Sequence, residues 1–337
     1  MKKPAKGIIT NNYSGEFFMN PLQKAAQIAV RDCMAIKPDE TVLIVTDPPK
    51  KAIGQALFEA AMEFAKEAFL LEMKERTING EEPPAEVTEM MRSVKVVLCP
   101  TSKSLTHTTA RRLACQAGAR VGTLPGITRE MMIRTMSANY HQIAELTYKV
   151  SEVLTKGEMA HLTTPLGTDI HIPIKGIKAI SSTGLITQPG TFGNLPSGES
   201  YLMPEEGKSQ GTFWVDGSMA GIGKITSRPV QMVVENGLVV DVRGGREAKK
   251  LNQMIQKIGE KARNLAELGV GTNYMATITG QILEDEKVAG TVHLALGNNA
   301  SMGGTVDVGF HVDGIITQPT LLIDDFVLLA AGQLQVK

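Results

Sequence analysis

Glycine is spread so unevenly along this chain of 337 residues that its two halves cannot be built alike. Of 33 glycines, only 7 fall in the first 150 residues, and the other 26 are in the remaining 187. Glycine weakens helix and strand interiors and supplies the left-handed backbone of tight turns. The poor half is therefore expected to consist of regular elements, and the rich half of short strands and turns. The first half alternates short apolar runs with helix-period segments. The run Thr41 to Val45 (TVLIV) is followed by Ile53, Ala56, Leu57, Ala60, Ala61 and Phe64, whose spacing is that of one buried helical stripe. The pattern recurs with strands at Phe69 to Leu71, Val94 to Leu98 and Arg120 to Leu124. Helices are expected over Pro84 to Arg92, Ser104 to Gln116 and, as one long stretch, Ile127 to Lys156. Repeated β-α-β units imply a parallel sheet flanked by helices.

Beyond residue 157 the pattern changes to period-2 alternation broken by turns. HLTTPLGTDIHIPI (His161 to Ile174) reads as two strands around a turn, and VQMVVENGLVVDV (Val230 to Val242) as a hairpin on Asn236-Gly237. One amphipathic helix, with Leu251, Met254, Ile255 and Ile258 on one face, interrupts this half. The expected fold class is therefore α/β. A Rossmann-like parallel-sheet domain over residues 1–156 precedes a β-rich α+β domain over 157–337.

Charge narrows the partners. Lys plus Arg and Asp plus Glu each total 35, a formal net charge of zero, and 9 Phe, 5 Tyr and 1 Trp are too few for a series of base-stacking platforms. No nucleic acid or anionic membrane partner is expected. No apolar run approaches the ~20 residues of a membrane-spanning helix, and MKKPAKGIITNNYSGEFF lacks the continuous apolar core of a secretory signal. A cytoplasmic location is expected. Cys33, Cys99 and Cys115 are an odd number in apolar surroundings, which suits reduced thiols. Nucleotide motifs fail: TVLIVTDPPKKAIG has prolines where a dinucleotide fingerprint needs glycines, and in GSMAGIGKIT Lys224 is followed by Ile225 instead of Ser or Thr.

Chemistry concentrates near the C-terminus. In VDVGFHVDG, alternation sets Val306, Val308, Phe310 and Val312 on one face and Asp307, Gly309, His311 and Asp313 on the other. In TVHLALG it buries Val292, Leu294 and Leu296 and sets His293 opposite, among Thr291, Ala295 and Gly297. Both histidines thus lie on small-residue faces with space beside them. A His-x-Asp pair with a second His close by is a compact N,O donor set for a metal. Asp307, on the face of His311, is placed either to orient that ring or simply to be solvated. Two carboxylates have unusual glycine-flanked settings: Glu199 in GNLPSGESYLMP and Glu267 in NLAELGVGTN.

These four segments together resemble the aminopeptidase T and aminopeptidase S family of metallo-aminopeptidases. The family pattern has a Glu in Asn-x-Pro-[Ser/Thr]-x-Glu, a Glu in Ala-Glu-x-Gly-x-Gly-Thr-Asn, a His opening His-x-Ala-Leu-Gly, and a His-x-Asp near the C-terminus. The resemblance implies that Glu199, Glu267, His293, His311 and Asp313 are metal ligands. It also implies a metal-dependent hydrolase removing N-terminal residues from small peptides. Two divalent ions (Zn, Co or Mn) would activate a water, with Glu267 or Glu199 as catalytic carboxylate, and the assembly would be a homodimer around an enclosed cavity. The chain departs from this pattern in two ways. A family tyrosine beyond His-x-Ala-Leu-Gly is absent, with Ala300 and Ser301 in that stretch, and the chain is shorter than a typical family enzyme. It also looks like the related, shorter 2,5-dihydroxypyridine dioxygenases, which implies a mononuclear non-haem Fe(II) site formed by His293, His311 and Asp313. A non-catalytic metal-binding relative is the third reading.

Overall fold

The structure, a computed structural model, describes residues 20–336; the N-terminal stretch read above for a signal lies outside them. Helix α1 (Pro21–Ile28) opens on a capping box in which Asn20 and Gln23 exchange side-chain and backbone hydrogen bonds. There follow β1 (Thr41–Thr46), α2 (Lys51–Phe64), β2 (Glu67–Glu72), α3 (Ala85–Ser93), β3 (Val96–Cys99), α4 (Thr109–Gln116) and β4 (Arg120–Thr123). As the apolar runs predicted, β2, β1, β3 and β4 lie side by side as a parallel sheet. Helix α4 starts later than its apolar stripe suggests, because Thr108 caps it by accepting from the backbone N–H of Arg111.

The long helix expected over Ile127 to Lys156 is two helices, α5 (Arg129–Thr135) and α6 (Tyr140–Lys156). The side-chain oxygen of Asn139 accepts from the N–H groups of His141 and Gln142, so a polar residue competes for the backbone and starts a new helix inside an otherwise continuous apolar pattern.

The rest is mostly strand: β5 (Met159–Thr163), β6 (Asp169–Pro173), β7 (Ile180–Ser182), β8 (Phe192–Asn194), β9 (Glu199–Leu202), β10 (Gln210–Val215), β11 (Ser218–Met219), β12 (Gly223–Lys224), β13 (Val230–Glu235) and β14 (Leu238–Arg243). Helix α7 (Arg246–Ile258) precedes β15 (Leu265–Gly271), the short α8 (Ile282–Asp285), β16 (Val292–Gly297), β17 (His311–Ile316), β18 (Thr320–Ile323), β19 (Phe326–Ala330) and β20 (Gln333–Leu334). Strand β8 pairs in parallel with β4 and completes the first sheet, so residues beyond 157 also serve the Rossmann-like layer. The other strands form two antiparallel sheets, ordered β14-β13-β10-β6-β5-β18-β19-β20 and β12-β11-β17-β16-β15-β9-β7. Their inner faces share one core, with Ile170, Ile172, Phe213 and Val215 meeting Leu268, Val270, Leu294 and Val312. Both hairpins expected from sequence, β5-β6 and β13-β14, are present.

Cys33 and Cys99 are buried free thiols and Cys115 is half-buried. Burial pushes the Cys99 thiol up to about 12. Among the described residues no helix is long and apolar enough to cross a membrane.

Candidate metal centre

Four adjacent strands of the seven-stranded sheet, β17-β16-β15-β9, carry the five residues singled out from sequence. Antiparallel register sets Asp313 opposite Ala295 and Ala295 opposite Glu267; His293 lies opposite Gly269, and Gly271 opposite Glu199. Paired residues share a face, so Glu199, Glu267, His293, His311 and Asp313 all stand on the face turned away from the sandwich core. Their strand neighbours are small: Gly269, Gly271, Ala295 and Gly297. The close approach is essential at Gly269, where an added Cβ would lie 2.0 Å from His293 Nε2.

The reading of open space beside both histidines is corrected here. His293 is fully buried, because the segment before β16 folds over it and contributes a buried lysine, Lys287. His311 remains partly open. The strand expected from Val306 begins only at His311, since Asp307 to Phe310 form a loop in which the Phe310 N–H donates to the Val308 carbonyl. Asp307 does not orient His311: the Asn298 side-chain amide donates to Asp307, and the partner of His311 Nδ1 is the Asn298 carbonyl at 2.8 Å. That contact directs Nε2 inward.

His293 Nε2 lies 3.2 Å from Glu267 Oε1 and 3.6 Å from Glu199 Oε2, while His311 Nε2 lies 3.4 Å from both Glu267 Oε2 and Asp313 Oδ1. Those separations are long for charge-assisted hydrogen bonds. They match the edges of a coordination shell, because ligands ~2.1 Å from one ion are about 3.0 to 3.4 Å apart. Ligand atoms of Glu267, His293 and Asp313 all fall within 4.8 Å of one another. Glu199 Oε2 is a buried oxygen with no hydrogen-bond partner, a further sign that these oxygens await a cation.

Charge agrees with this reading. At Glu267, His293, His311 and Asp313 burial opposes ionisation, yet the neighbours outweigh it. Hydrogen bonding to Glu267 and the charges of Glu199, Glu267 and Asp313 raise His293 to about 9. Asp313 is held down at about 2, chiefly by His311. Carboxylates that stabilise protonated imidazoles this strongly would stabilise a divalent cation in place of the protons.

Sequence reasoning missed three groups. Lys287 Nζ donates to Glu199 Oε1 at 2.8 Å and to Glu286 Oε1. Burial, opposed by Lys287, lifts Glu286 to about 8. The Lys287 signal, EDEKVAG, reads as a solvated charge run, and only tertiary folding buries it. Tyr201 shares the site face two residues after Glu199 and opposite Gly269. His107 precedes α4; partial burial and the positive charges of Arg111, His311 and Arg112 lower its pKa.

The arrangement defines an aminopeptidase-T-like α/β scaffold with a buried histidine and carboxylate centre of metal-binding type. The family model described as NicX, 2,5-dihydroxypyridine 5,6-dioxygenase, matches residues 23–336, and the chain belongs to that family. A curated 2,5-dihydroxypyridine 5,6-dioxygenase from Pseudomonas putida KT2440 is 23% identical over 192 residues, 53% of this chain and 55% of the relative, so the match spans about half of that protein. A solved structure of 2,5-dihydroxypyridine dioxygenase from P. putida KT2440 superposes with a TM-score of 0.81 at 17% identity, covering 95% of this chain and 99% of the other. Wild-type AmpT from Thermus thermophilus superposes at 0.67 and 16% identity, covering 94% and 99%.

These findings overturn the aminopeptidase reading drawn from sequence, with its metalloprotease and hydrolase chemistry. The kinship with aminopeptidase T is one of fold, and the family is the dioxygenase family. The physical reason for the error is that a dioxygenase and aminopeptidase T share this fold, so a likeness to the one scaffold does not by itself tell hydrolase from oxygenase.

Proposed function

We propose that this protein is a mononuclear, Fe(II)-dependent dioxygenase that opens the ring of a 2,5-dihydroxypyridine between positions 5 and 6. His293, His311 and Asp313 are the proposed iron ligands. The observation that carries the single-ion reading is Lys287. Its ammonium, fully buried, donates to Glu199 Oε1 and so supplies to that carboxylate the positive charge that a second metal ion would otherwise provide. Two imidazoles and one carboxylate with open positions form a donor set suited to non-haem iron. Bound Fe(II) supplies the redox chemistry that lets dioxygen react with an aromatic ring.

The chain's own residues prepare that reaction. Glu267, between the two imidazoles, holds both Nε2 atoms toward one point. The Asn298 carbonyl fixes the His311 ring. His107, whose pKa is lowered by partial burial and by nearby positive charge including that of His311, is the proposed acceptor of a ring hydroxyl proton, which would make the ring more electron-rich. The burial of His293, Glu267 and Asp313 excludes bulk water. In the overall conversion the bond between ring atoms 5 and 6 breaks and both oxygen atoms are retained, so no external reductant is required.

The test is anaerobic loading with Fe(II), then oxygen uptake on 2,5-dihydroxypyridine with mass analysis of the product. Uptake equimolar with substrate, a product of substrate plus dioxygen mass, and about one catalytic iron per chain are expected. His311→Ala and Asp313→Ala should lose iron and turnover together. His107→Ala should keep iron and lose about 10²-fold or more in kcat. Full iron occupancy without oxygen uptake would refute the proposal.

A further inference from the structure

The β5-β6 hairpin carries a second histidine and carboxylate cluster that the proposed reaction does not use. His161 and His171 are direct cross-strand partners, and Asp169 lies two residues before His171 on the same face. The two imidazoles stack with centroids 4.1 Å apart and planes 13° from parallel. His161 Nε2 is 2.8 Å from Asp169 Oδ1, and ligand atoms of all three residues fall within 4.8 Å of one another. Among the described residues Asp169 has no lysine or arginine partner, and its side chain is 70% exposed.

We propose that His161, Asp169 and His171 form a second, surface metal site for a divalent transition-metal ion such as Zn²⁺ or Cu²⁺. Imidazole nitrogen suits these ions, and for nitrogen and oxygen donors Zn²⁺ and Cu²⁺ bind more tightly than Fe²⁺. Strand pairing already holds the three Cβ positions, so side-chain rotation alone brings the donors from their present spacing to the about 3.0 to 3.4 Å of a shared ion. The intervening residues Ala160, Leu162, Ile170 and Ile172 face the sandwich core, so this cluster is on the outer face of the eight-stranded sheet. The centre of Glu267 and His293 is on the outer face of the other sheet. Two packed sheets, at least about 10 Å, lie between them, so the two sites bind independently. An ion here ties β5 to β6, and metal analysis of the purified protein would exceed one ion per chain even with a single catalytic iron.

The test uses the iron-loaded protein. Titration with Zn²⁺, followed calorimetrically, should show one additional ion per chain. His171→Ala and Asp169→Asn should each weaken that binding at least about tenfold while leaving oxygen uptake unchanged. With Cu²⁺ as probe, electron paramagnetic resonance should show coupling to two imidazole nitrogens in the parent protein and to one in His171→Ala. Absence of the additional Zn²⁺, or equal affinity in the parent and both variants, would overturn the proposal. Neither outcome bears on the dioxygenase reading, which is decided by turnover.

Discussion

Replacing Gly269 by alanine is the most direct challenge to the described geometry. The new methyl carbon would lie 2.0 Å from His293 Nε2 and 2.2 Å from Cε1. Carbon contacts settle near 3.5 Å, so the ring must retreat by about 1.5 Å. Strand β15 cannot yield instead, because it is paired with β16 on one side and β9 on the other. Nor can the fully buried imidazole swing into solvent. Overpacking of this kind costs about 1–3 kcal/mol. Function should suffer more, because a ligand displaced by most of a metal–nitrogen bond length no longer binds, and misplacement by 1 Å already costs about 10²-fold in rate. The assay is iron content together with oxygen uptake and thermal unfolding. Gly269→Ala should fold with lowered stability, retain little iron and lose at least about 10²-fold in turnover. Gly309→Ala, where an added Cβ meets nothing within 4 Å, is the control and should behave as the parent. Full iron and full turnover in Gly269→Ala would show that the ring does not occupy the described position.

Lys287→Met removes the ammonium between Glu199 and Glu286. It should destabilise the metal-free protein by about 3–5 kcal/mol and admit an extra divalent ion; unchanged denaturant midpoints would refute the role given to Lys287. Arg120 and Glu40 form a buried bidentate pair with both contacts at 2.7 Å, tying the start of β4 to the residue before β1. The hydrogen bond from Arg120 holds Glu40 below the usual carboxylate range. Its stabilisation is therefore complete above the unfolded value, near 4.3, and is lost as pH falls through the lower folded value. Glu40→Gln should cost about 3 kcal/mol at neutral pH and flatten the acid limb of a stability–pH curve; an acid limb equal to that of the parent would refute this.

Much of the site was legible because its residues sit on strands, where period 2 alone tells which side chains share a face. His293 opposite the buried Val292 and Leu294, and His311 beside Asp313, follow from local alternation, and the glycine-flanked settings of Glu199 and Glu267 marked them as unusual. The Asn139 cap that divides α5 from α6 was also present in the sequence, but an isolated Asn inside an apolar pattern does not announce whether its side chain will cap. The family assignment was harder, since one fold serves both a dioxygenase and aminopeptidase T.

By itself the sequence pointed to the parallel first layer, the antiparallel second half, the two hairpins and the shared face of His311 and Asp313, because periodicity depends on residues a few positions apart; Glu199 and Glu267 entered the candidate site through a family resemblance. Only the tertiary structure decided how those donors meet. Pairing β17, β16, β15 and β9 in one register brings residues from 199 to 313 to a common point. Folding the segment before β16 over that face turns the charge run around Lys287 from a solvated stretch into a buried counter-ion. The loop from Asp307 to Phe310 gives the Asn298 carbonyl, and not Asp307, the control of His311. These outcomes depend on long-range desolvation and on which carboxylate an ammonium reaches first, quantities set by three-dimensional neighbours and absent from local sequence pattern.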